Sequence, residues 1–501
     1  MTFDWRRPML TAEALTLGAG LLVGGLGLCA LMSAQSIALA AVALGAMGFG
    51  ALVILTRQVQ RPLLALLIFT APIEINKALV APLVSRYYAA GPYYSPGLYL
   101  SLAHIALLCL AAAWLARLLL LERRRPPITR LDMLVLLFLA CIWLRSIGSP
   151  QGILSIASAI SYSLAVLAFY VVSHTIRNAS DVRLVLRASL AVLLLTAVYA
   201  AAQAVTKSQL ELPGIKPLAA GATIDFGGEG AAFRPPGFLA HPNALAHYLL
   251  IAISPAIAVV LLGPRRLPAR TWWLAMLAMG AGGATLLATL SRGGWASAAL
   301  ATSFIVAVCY RRGLITSRQL GLILCTIALG AFAAVIVYPN ILLRLTAPDG
   351  RSLESRVLLA DMAWTIIKAN PWIGVGFGEY NRAAYAYVPP LFATVSPDYQ
   401  LALHQLVVHN HYMLLAAELG IPVALFFCYL LWRFARLPWP LERWRDPLSF
   451  ALAIGLSAAV VGQAFFFNSD NYYVDTRVFL FWVSAGVLQA LSLQAGREER
   501  K

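Results

Sequence analysis

The chain is poor in charge. Asp, Glu, Lys and Arg make up 12% of its 501 residues, about half of what a soluble protein of ordinary composition carries. Acid is scarcer than base, with 21 Asp and Glu against 38 Lys and Arg and a net charge of +17. This shortage excludes a soluble globular fold, and a 60% hydrophobic composition says what replaces it. Cysteine is absent from the polar loops: Cys29, Cys109, Cys141, Cys309, Cys325 and Cys428 all lie in or at the edge of apolar runs. That placement excludes a disulfide framework and a metal-binding cysteine pair. No His/Asp/Glu spacing reads as a metal site, and no glycine-rich phosphate loop ends in lysine, so nothing points to a nucleotide. No internal repeat is visible. The basic excess falls in short clusters between apolar runs rather than along one face, so nucleic acid is not the partner.

What is there is a succession of apolar runs of about 20 residues, each long enough to cross ~30 Å of hydrocarbon. The expected fold is an all-α polytopic membrane protein with about fourteen transmembrane helices. They fall near 12–32, 37–56, 61–75, 98–121, 131–148, 153–175, 184–206, 243–262, 271–290, 294–311, 319–338, 411–433, 448–467 and 477–494. The first reads as an uncleaved anchor. Alternate connections are basic, among them Arg6-Arg7, Arg57 with Arg61, Arg123-Arg124-Arg125, Arg177 with Arg183, Arg265-Arg266, Arg311-Arg312, Arg433 with Arg436, and Arg497 to Lys501. The positive-inside rule makes these ends cytoplasmic, together with both termini. Four regions follow: an N-terminal scaffold (1–230), helices carrying far-side arginine motifs (231–338), a large far-side helical loop (339–410) and C-terminal helices (411–501).

Candidate chemistry concentrates on the far side. Residues 354–369 read as an amphipathic helix, with Glu354, Asp361, Thr365 and Lys368 on its polar face. Arg356 projects instead with Ala360, Ala363 and Ile367. A guanidinium on the apolar side needs an anion: a loop carboxylate, a snorkelling route to water, or a ligand phosphate. Arg292, in the turn Ser291-Arg292-Gly293-Gly294, is either an interface marker or a second phosphate ligand. Arg234, in Phe233-Arg234-Pro235-Pro236-Gly237-Phe238, is a third cation on the same side. Three arginines suit a diphosphate, whose oxygens the planar guanidinium matches in pairs. His409-Asn410-His411 opens a span, and an imidazole there titrates near neutral pH, as a base for a hydroxyl must. His241 caps or orients the helix that follows it. Glu74 is the acidic alternative for the base, while His104 and Glu418 read as interior hydrogen-bonding groups.

Taken in order, Arg234-Pro-Pro-Gly-Phe-Leu-Ala-His-Pro-Asn243, Leu290-Ser-Arg-Gly-Gly-Trp295, Ser355-Arg356 with Trp364 and Pro371-Trp-Ile-Gly-Val-Gly-Phe377, and His409-Asn-His-Tyr with Glu418-Leu-Gly420 form an ordered set. It resembles the bacterial O-antigen ligase and O-antigen polymerase superfamily, with Val423 departing from the ligase pattern. The resemblance implies a GT-C-like membrane glycosyltransferase of the bacterial inner membrane with a periplasmic active site. The implied donor is an undecaprenyl-diphosphate-linked glycan, and the implied acceptor is lipid A-core for a ligase or a second lipid-linked glycan for a polymerase. It implies no metal and no cofactor. By the resemblance, Arg292 and Arg356 would hold the diphosphate and His409 would take the acceptor proton; the positions of Arg234, His241, Asn410, His411 and Glu74 make them further candidates for substrate binding. Protein O-oligosaccharyltransferase is a third member of the group. A lipid-linked glycan flippase is the reading from another class; it predicts ionisable groups at the bilayer midplane and repeated halves, whereas the distinctive groups here sit in far-side loops.

Overall fold

The computed structural model describes residues 58–80, 97–210, 222–226, 230–346, 351–471 and 476–499, with residues 20, 21, 23, 24 and 50. The expected spans 12–32 and 37–56 fall almost wholly outside the described residues, as do Arg6, Arg7, Arg57, Arg500, Lys501 and Cys29.

The described chain is almost entirely helical: α1 (Gln60–Thr70), α2 (Leu102–Ala116, continued by a π-helical turn to Leu121), α3 (Arg130–Ser146), α4 (Ile153–Thr175), α5 (Ala179–Thr206), α6 (Pro242–Leu262), α7 (Ala269–Ala288), α8 (Arg292–Arg311), α9 (Ser317–Val337), α10 (Asn340–Thr346), α11 (Arg351–Ala369), α12 (Tyr380–Ala386), α13 (Pro397–His404), α14 (His411–Leu419), α15 (Ile421–Ala435), α16 (Pro447–Phe466) and α17 (Thr476–Glu498). Two small antiparallel hairpins complete it, β1 (Asn76–Val80) with β2 (Leu98–Ser101) and β3 (Thr223–Asp225) with β4 (Ala231–Phe233).

Among the described residues nine helices are long and apolar enough to cross a membrane: α2 with its π turn, α4 to α9, α16 and α17. The expectation of about fourteen is too high for this part of the chain. The run at 61–75 yields only the 11 residues of α1, and the run at 131–148 stops as the 17-residue α3, about 26 Å long. The run at 411–433 is broken in two at Gly420, whose φ of +89° no helix interior tolerates.

The core is aromatic and closely approached. Trp482 of α17, fully buried, meets the rings of Phe138, Tyr162, Phe169, Phe434 and Phe481 at centroid distances of 5.4–6.5 Å. Small residues let the backbones close in. A Cβ on Gly486 would lie 2.6 Å from Phe169 O, and one on Gly455 would lie 2.4 Å from the Cα of Pro255. These two glycines join α17 to α4 and α16 to α6. In contrast, no described residue of α9 is buried, although its mean hydropathy of 2.7 is the highest among the nine candidate spans.

Between α9 and α14 the chain leaves the long helices and builds a polar layer from α10 to α13. Its glycine loop docks on the break at Gly420. Val375 N donates to Ala417 O and Gly376 N to Glu418 O, both at 2.9 Å, and Ile421 N donates to Pro371 O at 2.8 Å. Gly374 (φ +63°) sits so close that a Cβ would lie 2.3 Å from the carbonyl carbon of Glu418. Glu418, buried, receives Tyr380 N–H at 3.2 Å. A second tie runs to the α3–α4 turn. Arg145 donates to Gly374 O at 3.1 Å, and buried Glu379 accepts from Ser149 Oγ and from Gln151 N at 2.9 Å while pairing with Arg382. The free backbone groups of a broken helix are thus satisfied by protein rather than left to lipid.

Candidate active site

One polar cavity of about 330 Å³ lies where this layer meets the bundle. It is lined by residues from seven segments: Ile224 and Phe226 at the hairpin; Arg234, His241 and Asn243; Ser291, Arg292 and Gly293; Arg344; Ser355 and Arg356; His409; and Phe466 with Ser469. Four arginines line it, and no carboxylate does among these residues.

Local structure explains how each arrives. Leu290 adopts a left-handed backbone (φ +49°) although it is not glycine. This conformation costs roughly 1–2 kcal/mol and turns the chain sharply from α7 into α8. The expected turn at 291–294 is therefore shorter: Ser291 caps α8 by accepting from Gly294 N, and Arg292 is already helical. Gly293 and Gly294 permit the fit, since Cβ atoms there would stand 2.6 Å from Ser469 Oγ and 2.7 Å from the Cβ of Ala246. Arg344, on the short α10, donates from Nε to the Leu290 carbonyl at 3.1 Å, so the strained turn also anchors a cation.

Arg234 is buried and oriented by two hydrogen bonds, Nε to Thr289 O at 2.6 Å and Nη2 to Asn243 Oδ1 at 2.7 Å. Burial, reinforced by Arg344 and Arg356, pushes its pKa down to about 9, and burial with Arg292 and Arg356 pushes that of Arg344 to about 10. Like charges have been gathered in a partly desolvated space, an arrangement that an anion would relieve. Arg356 sits half-buried on α11, whose Leu359, Met362, Ala363 and Ile366 form the buried side. Among the described residues no carboxylate is paired with it. The amino-terminal turns of α6 and α8 face the same space, and their dipoles add to the positive potential.

His409 stands at the rim, its side chain 25% exposed, with Nδ1 3.6 Å from Oδ1 of Asp470. Asp470 is buried, and its other oxygen faces Arg477 at 3.3 Å and His247 at 3.6 Å. Burial opposes ionisation of Asp470, but Arg477, His247 and His409 together hold its pKa well below the usual carboxylate range.

Of the residues singled out in the sequence, the cavity brings together Arg234, His241, Arg292, Arg356 and His409. Three others stand outside its wall. Glu74 is buried with Oε2 accepting from Ala240 N at 2.8 Å, so it clamps the 236–241 loop and is not an acid facing the cavity. Asn410 caps α14 through Met413 N at 3.0 Å. His411 is buried between Phe427 and Phe467, at ring distances of 5.2 and 5.0 Å. His241 caps α6, with Nδ1 accepting from Asn243 N at 3.0 Å; burial, with Arg234 adding, lowers its pKa to about 3. It is a neutral acceptor here.

Two residues went unmarked in the sequence, Arg344 and Asp470. Arg344 belongs to no motif, and its signal was its presence in an apolar stretch just past a span. Asp470 lies in the short loop between the last two helices, where Asp475 is a second acid, and no spacing distinguished it. Among the described residues no group of three or more His, Cys, Asp or Glu is placed to hold a metal ion.

A family model described as O-antigen ligase matches residues 274–428. That stretch contains Arg292, Arg344, Arg356 and His409, and leaves Arg234, His241 and Asp470 outside. No curated protein matches the chain.

Proposed function

We propose that this protein is a multi-pass inner-membrane glycosyltransferase that moves a glycan from an undecaprenyl-diphosphate carrier to an acceptor hydroxyl, with its cavity open to the periplasm. The observation that carries the reading is the cavity itself, lined by four arginines and no described carboxylate, with an imidazole at its rim. The match to an O-antigen ligase model over residues 274–428, which hold Arg292, Arg344, Arg356 and His409 but not Arg234, supports it.

In the proposed reaction the donor diphosphate lies among Arg292, Arg344 and Arg356, with Arg234 behind them. Guanidinium groups bind its oxygens in pairs and offset the charge that grows as the glycosidic C–O bond breaks. His409, with Nδ1–H turned to Asp470, presents Nε2 on the opposite edge of its ring. Nε2 takes the proton of the acceptor hydroxyl as that oxygen bonds to the anomeric carbon, and the carrier diphosphate departs with the bonding electron pair. Asp470 stabilises the imidazolium that forms. The donor's own diphosphate ester supplies the driving force, so the step needs no nucleotide.

Purified protein in proteoliposomes, given a labelled undecaprenyl-diphosphate glycan, is expected to release undecaprenyl diphosphate and form a new glycosidic bond. Transfer to lipid A-core marks a ligase, and lengthening of the carrier-linked glycan marks a polymerase. Movement of the donor across the bilayer with no new bond would overturn the reading in favour of a flippase.

A further inference from the structure

The two oxygens of Asp470 face different imidazoles. Oδ1 accepts Asn471 N–H at 2.8 Å and lies 3.6 Å from Nδ1 of His409. Oδ2 lies 3.6 Å from Nε2 of His247 and 3.3 Å from a terminal nitrogen of Arg477. Both groups beneath the carboxylate are held firmly. His247 is 1% exposed and stacked on Phe466, with ring centroids 3.7 Å apart and planes 10° apart. Arg477 is buried in the first turn of α17, the end where a helix dipole disfavours a cation. An anion at Asp470 offsets both that dipole and the desolvation of the guanidinium.

We propose that His247 and Arg477 are positioning residues for His409, acting through Asp470. This rests on the transferase reading for its consequence, but its physical content is independent. A carboxylate rotates about its Cβ–Cγ bond and offers either oxygen in turn. With Oδ2 turned toward Arg477 at 3.3 Å and His247 at 3.6 Å, Oδ1 is the oxygen left facing Nδ1 of His409 at 3.6 Å. That fixes the tautomer with the proton on Nδ1 and leaves the lone pair on Nε2. Arg477 has a second task. Burial alone favours the neutral carboxyl, which would give a proton to the imidazole rather than accept its hydrogen bond.

The groups that act on Asp470 come from every neighbouring element: His247 from α6, His409 from the segment before α14, Arg477 from α17, and more distantly Arg234, His241 and His411. Arg477 is the principal one that keeps the carboxylate ionised. With it removed, the proton returns to Asp470 as pH falls through a higher range than in the natural chain. The loss of function is therefore largest on the acid side.

The test compares Arg477→Gln and His247→Leu with the conservative Arg477→Lys and His247→Gln, the latter placing an amide N–H where Nε2–H stood. Two readouts are taken: the pH–rate profile of glycan transfer in proteoliposomes, and histidine-selective ¹⁵N NMR of the full-length protein, which reports the tautomer of His409. Arg477→Gln is expected to move the acid limb upward by roughly one pH unit or more, a roughly tenfold loss on that side. Donor KM should be unchanged, and His409 should become a mixture of tautomers. His247→Leu should mix the tautomers as well, and the two conservative variants should restore both signals. A loss of equal size at every pH, with the tautomer unaltered, would overturn the proposal and leave a packing role. If the natural protein transfers no glycan from any donor, the transferase reading fails while the tautomer measurement still decides this one.

Discussion

The two ends of the helix bundle treat positive charge differently. At the end away from the cavity, about 30 Å along α6 or α8 at 1.5 Å per residue, arginines meet carboxylates of the same chain. Arg61 pairs with Asp181 at 2.9 Å, Arg177 with Glu122 at 2.7 Å, Arg117 with Glu122 at 3.0 Å and Arg312 with Glu442 at 3.3 Å. At the cavity end four arginines line one space without a carboxylate in its described wall, and the buried acid nearby is turned to histidines and Arg477. At one end carboxylates meet cations, and at the other no carboxylate stands among the described residues of the cavity wall. The difference marks the cavity as the place where guanidinium groups are gathered, and a bound anion would offset their mutual repulsion there.

Substitutions at the two ends should break or sharpen this contrast. His409→Ala is expected to lower the turnover of glycan transfer by about 10²–10⁴-fold, the usual contribution of a general base, with little change in donor KM; near-normal turnover would remove His409 from the chemistry. Arg356→Ala is expected to cost about 10²–10³-fold, as for loss of one group that stabilises developing charge. Arg356→Lys should recover a fraction of that rate, since an ammonium keeps the charge but not the planar fork. Full activity in the lysine variant would show that charge alone suffices. Arg312→Ala, at the other end and in an exposed pair, should change thermal stability by about 0–1 kcal/mol and leave transfer intact. An effect there as large as that of Arg356→Ala would erase the distinction between the ends.

Much of this was legible in the sequence because membrane insertion and arginines set among apolar residues leave strong local marks. Runs of apolar residues announced the helices, and Arg234, Arg292, Arg356 and His409 stood out as polar side chains where apolar ones would be cheaper. Elements whose form depends on distant partners were less legible. Gly420 breaks a continuous apolar run because the loop at 371–378 supplies hydrogen bonds that offset the interruption, and no pattern within 411–433 encodes that partner. Glu74 read as a possible base because its position beside the far-side loops was visible while its hydrogen bond to Ala240 was not. Asp470 was missed because its role depends on two residues far away in the sequence, His247 and His409, as well as on nearby Arg477. Arg344 was missed for a related reason: its place is set by a strained carbonyl at Leu290 rather than by a motif.

The helix Ser317–Val337, with no buried residue along its described length, contributes almost no side-chain interlocking to the bundle it adjoins. Its task reduces to delivering the chain across the bilayer so that Arg344 arrives a few residues later. Such a segment is bound by greasiness and reach rather than by the identity of its residues. With Ser317, Arg318 and Gln319 left in place, a shuffled version of the apolar remainder should serve equally well, whereas deleting one helical turn from it would drag the guanidinium out of place.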